Sequence, residues 1–132
     1  MPFQIKKNPS KVFVCGTGDG WELVPKQSEA IYYCLNDYIK TERYGIIPDV
    51  LFILDSLEEK PQIVTGVDNL GDVVSRINNM RIPLVSPHRY EDIPLSVAFP
   101  LEEVKTKICE PYFKNTIGYM IAYAILQVAK EI

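Results

Sequence analysis

Five residues near the start of the chain have the types and spacing needed to bind a phosphate group. They are Gly16, Thr17, Gly18, Asp19 and Gly20, which follow the apolar run 12–14. Alternate glycines allow positive φ angles and let backbone N–H groups come close to a ligand. In open α/β sheets, ligands bind beyond the carboxyl ends of strands, where this segment would lie. The pattern predicts a nucleotide-binding loop, although a tight turn that merely needs glycine has the same spacing.

Polar side chains also follow the next two apolar runs. Asn36 and Asp37 come after the run 30–35, and Asp55 follows the run 50–54. Because neighbouring parallel strands end at one edge of a sheet, we expect these residues and the glycine segment to share one rim. Asp37 has the spacing of an acid that binds a ribose hydroxyl. Asp55 suits either this rim or a cap on the turn that follows it.

A standard NAD-binding unit is disfavoured by two residues. Trp21 stands where the dinucleotide fingerprint requires its third glycine. Pro25 leaves too little room before the second strand for the full helix whose N-terminus would hold the pyrophosphate.

Hydrophobic patterning predicts the elements that would position these residues. Continuous apolar runs predict strands at 12–14, 30–35, 50–54, 62–65, 83–86 and 95–99. Helical spacing predicts an amphipathic helix over 70–80, capped by Asp68 or Asn69. The last predicted strand is followed by Pro100-Leu-Glu-Glu-Val, with no element assigned, and then by a stretch to Phe113 that is predicted to be irregular. The predicted fold class is α/β: one three-layer, Rossmann-like domain over 1–132, with a mostly parallel sheet and helices on both faces.

The last part of the chain predicts a buried helix from about 115 to 130. Asn115 or Thr116 can cap its start, and apolar residues cover nearly its whole circumference. Free N–H groups at its N-terminus suit a phosphate, although a plain core helix has the same pattern. We expect this N-terminus and the glycine segment to face each other across one pocket.

The composition and net charge of the chain restrict the kinds of molecule that it is expected to bind. The chain of 132 residues has a net charge of −3, whereas a nucleic-acid binder usually carries a basic face. It has no run of about 20 apolar residues, and its start lacks the apolar core of a signal peptide. We therefore expect a cytoplasmic protein with a small nucleotide ligand and with neither nucleic acid nor a membrane as partner. The apolar last helix predicts a homo-oligomer.

Cysteine and histidine give little support for metal binding or catalysis. Cys15, Cys34 and Cys109 lack C-x-x-C spacing, so neither a zinc site nor a disulfide framework is predicted. Cys15 and Cys34 lie in apolar runs, where free thiols behave as small hydrophobes. His88, the single histidine, lies in a polar loop and is interpreted as a surface residue rather than a general base. No catalytic residue is assigned.

Three stretches resemble the bacterial sialyltransferase-like proteins. Residues 12–23, Val-Phe-Val-Cys-Gly-Thr-Gly-Asp-Gly-Trp-Glu-Leu, are similar to that family's first motif, a hydrophobic strand followed by G-N-G-P-S-L. Asn36 sits where the family has an asparagine that touches the nucleotide. Residues 112–132 look like its Ser/Thr-rich helix start, buried helix and K-E-I ending. The chain looks closer still to phage-borne and archaeal relatives of this Rossmann-like group, some linked to pterin diphosphokinase chemistry, in which residues 94–104 also have a counterpart.

The resemblance implies a site for a nucleotide or a CMP-type nucleotide-sugar. It would place residues 16–20 at the phosphates or ribose and Asn36 near the nucleotide. Thr116 and Gly118 would lie opposite, at the start of the last helix.

The chain departs from the family at several positions. Asp19 and Gly20 replace a Pro-Ser pair, and Val128 stands where a glycine is usual. The family continues past the position of Ile132 into a strand with a nucleotide-contacting acid and a segment with a catalytic histidine. His88 does not correspond to that histidine. We therefore expect the binding half of such an enzyme, truncated before its last acidic motif.

Three functions stay open at this level. The first is a glycosyltransferase-like domain that binds a nucleotide-sugar. The second is a non-catalytic binding or assembly module of the same fold. The third is a diphosphokinase-like enzyme that needs Mg²⁺, for which Asp19, Asp37 and Asp55 supply the carboxylate oxygens that this ion prefers.

Overall fold

A computed structural model describes residues 9–15, 30–35, 48–55, 57, 69–108, 116–129 and 132. Within this part of the chain there are five strands and three helices. In chain order they are β1 (Val12–Cys15), β2 (Ile31–Leu35), β3 (Val50–Phe52), α1 (Leu70–Met80), β4 (Leu84–Ser86), β5 (Ser96–Ala98), α2 (Leu101–Lys107) and α3 (Thr116–Leu126). The strand predicted at 62–65 lies outside the described residues.

The five strands form one sheet in which every neighbouring pair is parallel, in the order β1-β2-β3-β4-β5. Two hydrogen bonds fix the start of β3 against β2. The Asp49 carboxylate accepts from the Tyr32 N–H at 2.7 Å, and the Asp49 N–H donates to the Tyr32 carbonyl at 2.8 Å. The predicted α/β class with a parallel sheet is confirmed, and the arrangement is consistent with a Rossmann-like fold.

Two hydrophobic clusters meet at β3, because successive residues of a strand point to opposite faces. Leu51 packs in a cluster with Val73 and Ile77 of α1. Phe52, the next residue, packs in another cluster with Met120 and Tyr123 of α3. The placement of helices on both faces stays a prediction, which these two clusters support.

The consecutive strand order affects where the connections run. Parallel crossovers are right-handed in nearly all proteins, so crossovers that always step in the same direction lie on the same face. Consistent with this rule, the β4–β5 connection contributes Tyr90 and Ile93 to the cluster that holds α1. The β3–β4 helix and the β4–β5 loop therefore share one face.

α1 begins with a side-chain cap. The Asn69 Oδ1 accepts from the Asp72 N–H at 2.9 Å, and the Asn69 Nδ2 donates to the Asp72 carboxylate, also at 2.9 Å. The first contact satisfies an N–H that has no partner within the helix, and the Asp72 charge is favourable in a first turn. The predicted helix over 70–80 is confirmed, and of the two predicted cap residues, Asp68 and Asn69, the observed cap is Asn69.

The prediction of irregular structure after Val104 is wrong for residues 105–107, which belong to the helix α2, and no element was predicted for its first residues. Pro100 is its N-cap residue, and Glu102 and Glu103 occupy the first turn, where acids are favourable. Lys107 forms an ion pair with Glu103 at 2.9 Å, one helical turn away. These charges and the burial of Val104 stabilise a helix that the short apolar pattern did not reveal.

α3 ends in a Schellman motif whose left-handed residue is a valine. The Ala129 N–H donates to the Ala124 carbonyl at 3.2 Å, and the Val128 N–H donates to the Ile125 carbonyl at 2.9 Å. Val128 has a φ of 61°, in the region that glycine usually occupies at this position. A β-branched side chain makes this backbone conformation costly.

We expect Val128→Gly to stabilise the protein by about 1 kcal/mol, since it removes the steric cost of a left-handed valine, which is about 1–2 kcal/mol, and loses little burial. The Val128 side chain is 63% exposed. Urea unfolding at neutral pH measures the change. Ala129→Gly is the matched control, and we expect it to destabilise, because position 129 is not left-handed. Equal effects of the two substitutions would contradict this account.

Candidate functional site

The edge of the sheet where the strands end, called the carboxyl edge below, is the candidate site. Cys15 of β1 pairs with Cys34, and Leu35 of β2 pairs with Phe52 of β3, so these strands end at the same edge. β1 and β2 lead in sequence into the segments 16–20 and 36–37, whose own residues lie outside the described part of the chain. Asp55, a half-buried residue, follows β3 there.

The first turns of α3 point toward the carboxyl edge. The Tyr119 ring packs edge-on against Phe99, which directly follows β5, with 5.1 Å between ring centroids. Tyr123, one turn later, packs against Phe52, the last residue of β3, at 5.4 Å. The helix also contacts β1 and β2. The start of α3, at Thr116, therefore lies toward the edge where the strands end.

Aromatic rings join α3 to the middle of the sheet. Tyr33 packs against Phe52 at 5.1 Å and against Tyr123 at 6.0 Å between centroids. Burial raises the pKa of Tyr33, with smaller contributions from Tyr123 and Asp49. Burial, followed by the Glu103 carboxylate of α2, raises the pKa of Tyr123 to about 12. These rings fix the helix against the sheet, and with it the position of the helix N-terminus.

The raised tyrosine pKa values give stability a defined pH dependence. Below the ordinary tyrosine pKa of about 10, both phenols are protonated in the folded and unfolded chains, and their contribution is fully present. As pH rises above that value, the unfolded chain loses these protons first, so the free energy of unfolding falls. The Tyr33 hydroxyl is also buried without a hydrogen-bond partner in the described structure. It therefore contributes no hydrogen bond to the core.

The predicted site residues are only partly within the described structure. Asp55 lies at the carboxyl edge, Thr116 is the first residue of α3, and Gly118 is half-buried in the first turn. The remaining predicted site residues lie outside the described part of the chain: Gly16, Thr17, Gly18, Asp19, Gly20, Asn36 and Asp37. Their roles stay predictions.

The strand order differs from that of doubly wound sheets with a ligand crevice. Such a crevice forms at a topological switch point, where the strand order reverses. Between β1 and β5 the order never reverses. The described sheet therefore has no switch-point crevice between β1 and β5.

The loop after β4 is held by hydrogen bonds between serine side chains and the main chain. The buried Ser86 hydroxyl donates to the His88 carbonyl at 2.7 Å, so its proton is used by the backbone. The exposed His88 ring packs against Tyr90 at 4.3 Å, and its Nδ1 lies 3.0 Å from the Arg89 carbonyl. The Tyr90 hydroxyl accepts from the buried Leu57 N–H at 3.2 Å. These contacts order the loop and do not arrange Ser86 and His88 as a nucleophile and base.

Two cysteines form a cluster that the sequence pattern did not predict. Cys15 and Cys34 are register partners in β1 and β2, and both are buried. Each is the fourth residue of its strand. This shared position indicates that the two cysteines are neighbours only if β1 and β2 are already known to pair in parallel.

The described residues contain neither a cluster of metal ligands nor a helix that could span a membrane. The described part of the chain contains no group of three or more His, Cys, Asp or Glu side chains that could hold a metal ion. None of its helices has the length and apolarity required to cross a bilayer. Of the three carboxylates considered for Mg²⁺, only Asp55 is described.

The geometry defines an α/β protein whose single described sheet is wholly parallel and whose last helix points its N-terminus toward the strand ends. No family model, no curated protein and no solved structure matches this chain. The resemblance to sialyltransferase-like proteins therefore stays a prediction.

Proposed function

We propose that this protein binds a nucleotide or nucleotide-sugar at the carboxyl edge, as a glycosyltransferase-like domain. One observation carries the proposal. The parallel strands that lead into 16–20, 36–37 and Asp55 end at one edge, toward which α3 directs its start.

Each part of this edge would supply a different contact. Backbone N–H groups of the glycine segment, which follows β1, would bind phosphate oxygens. The first turn of α3 lies nearer β5, where its dipole would favour a further anionic group of an extended ligand. α3 has 11 residues, enough for its dipole to act at the first turn. Asp55, with Asn36 and Asp37, would accept hydrogen bonds from ribose hydroxyls. The proposal assigns binding and orientation to this chain, and it includes a cytoplasmic location.

Thermal denaturation with CMP, CDP, NAD, or GTP plus Mg²⁺ tests the proposal. We expect CMP or CDP to raise the melting temperature, because a ligand at about 100 times its Kd adds about 2.7 kcal/mol to the free energy of unfolding. A rise only with GTP and Mg²⁺ would favour the diphosphokinase-like alternative instead. The absence of a shift with every nucleotide would contradict nucleotide binding.

Paired substitutions locate the binding site. Gly18→Ala should reduce the nucleotide-induced shift, because a methyl group would block close approach of the backbone to phosphate. Gly71→Ala is the control, since its added Cβ meets only the Asn69 Oδ1, at 3.4 Å, in exposed α1. Asp55→Asn should also reduce the shift. Its control is Asp92→Asn, whose backbone contacts Asn78 near the end of α1, away from the carboxyl edge.

The second candidate is an assembly module, favoured by the outer side of α3. Ile121 is 38% exposed, Ile125 is 47% exposed, and Val128 just beyond the helix is 63% exposed. They follow one another at helical spacing and form an apolar stripe. If nucleotides produce no shift, sedimentation of the parent chain and of Ile125→Glu distinguishes this candidate: the parent should be a homo-oligomer and the variant a monomer.

A further inference from the structure

Two thiols lie side by side at the end of β1. Cys15 pairs in register with Cys34, and paired residues in parallel strands point to the same face of the sheet. Both side chains belong to the same buried cluster. Around them are Ala30 and the rings of Tyr32 and Phe13. The two sulfur atoms are neighbours in a compact apolar cluster, although the residues are distant in sequence.

The two cysteines are not equivalent. Cys15 is 6% exposed and is the last residue of its strand, whereas Cys34 is fully buried. The hydrogen bond from Cys34 lowers the pKa of Cys15, against the opposing effect of burial. The hydrogen bond to Cys15 and burial both raise the pKa of Cys34. Cys15, at the end of its strand and the more exposed of the two, is therefore the thiol that a peroxide reaches first.

We propose that Cys15 and Cys34 are a redox-sensitive pair that forms a reversible disulfide when the protein meets a hydroperoxide. The Cys15 thiolate attacks one peroxide oxygen, the O–O bond breaks, and Cys15 becomes a sulfenic acid. The Cys34 sulfur then attacks the Cys15 sulfur, and the S–O bond breaks. The departing hydroxide takes the Cys34 proton and leaves as water. The two cysteines lose two electrons in total, and the peroxide is reduced.

The strand geometry permits this bond but strains it. Neighbouring strands lie about 4.7–4.9 Å apart, within the range of about 4.4–6.8 Å between the Cα atoms of a disulfide. Disulfides prefer Cβ atoms only about 3.5–4.5 Å apart, closer than the strand spacing keeps them. A strained disulfide is more easily reduced, and labile disulfides are typical of regulatory sites. The pair therefore suits a reversible switch, and this inference does not depend on any nucleotide ligand.

Mass spectrometry after hydrogen peroxide treatment tests the pair. Cys109, the third cysteine, is removed as Cys109→Ser so that it cannot exchange with the pair. We expect the treated chain to lose two hydrogens, to resist alkylation at both remaining cysteines, and to yield tryptic peptides 12–26 and 27–40 joined to each other. Dithiothreitol should restore both thiols.

Single substitutions in the same background test the order of reaction. In Cys34→Ser, Cys15 should form a sulfenic acid that dimedone traps, whereas in Cys15→Ser the buried Cys34 should stay a thiol. The same peptide mapping can be carried out on the unsubstituted chain, so the test does not depend on the folding of a variant. A bond from Cys109 to either partner would overturn the proposal. So would oxidation of Cys15 to sulfinic acid beside an intact Cys34, or survival of both thiols in peroxide that oxidises a small free thiol.

Discussion

Phe52→Ala should lower the free energy of unfolding by about 3–5 kcal/mol, the usual cost of truncating a fully buried phenylalanine. Phe52 is 0% exposed and ends the central strand β3. Its ring contacts Tyr33 of β2 and Tyr123 of α3, at 5.1 Å and 5.4 Å between centroids. The substitution therefore leaves a cavity where the sheet and the last helix meet. Urea unfolding at neutral pH, with an unchanged dependence on denaturant, measures the loss.

The matched control is Tyr33→Phe, which changes the neighbouring ring without emptying its space. The Tyr33 hydroxyl is buried and has no partner in the described structure, so its removal should be neutral or slightly stabilising. The variant should also lose less stability than the parent as pH rises above about 10, because one phenol with a raised pKa is gone. A loss in Tyr33→Phe comparable to that in Phe52→Ala would contradict the assignment of the cost to the cavity.

Ser96→Ala should destabilise by about 1–3 kcal/mol, because it leaves a buried donor without a partner. The Ser96 hydroxyl accepts from the Tyr90 N–H at 2.9 Å and donates to the Ile93 carbonyl at 2.7 Å. Ser96 is 1% exposed, so water cannot replace these contacts at low cost. Urea unfolding gives the magnitude, and hydrogen exchange should show lost protection at the Tyr90 amide.

Ser75→Ala provides the comparison for this substitution. Ser75 is exposed in α1, where alanine is a better helix former, so the change should be within about 0.5 kcal/mol of zero or slightly stabilising. If both serine substitutions have the same small effect, the hydrogen bonds of the Ser96 hydroxyl do not stabilise the β4–β5 loop.

The parallel strands could be predicted because strands covered on both faces give continuous apolar runs. The runs at 30–35 and 50–54 contain β2 and β3, and Asn69 was recognisable as a cap from its position before the helical pattern. The helix α2 was not predicted because it is short and buries only Val104. The sequence feature that indicates this helix is the pair of opposite charges at Glu103 and Lys107, four residues apart.

What the sequence could not provide is the pairing of distant segments. The contact between Cys15 and Cys34 depends on strand order and register, which are set by tertiary packing rather than by local pattern. The same holds for the start of α3, whose direction follows from Tyr119 and Tyr123 meeting Phe99 and Phe52. Asp55 could be placed at a strand end from the sequence because it directly follows an apolar run. The other strand-end residues of the candidate site stay predictions.

The unbroken order of the strands has a consequence for how the protein matures on the ribosome. Each described strand pairs with the described strand that precedes it in the chain, so this part of the sheet can grow vectorially as the chain emerges. α3 breaks this pattern, since it returns from the far end of the sheet to contact β1 and β2. Docking of this last segment brings the first and last parts of the described fold together. A nascent chain halted before Thr116 would therefore have its sheet paired while the aromatic surface around Phe52 still lacked its cover.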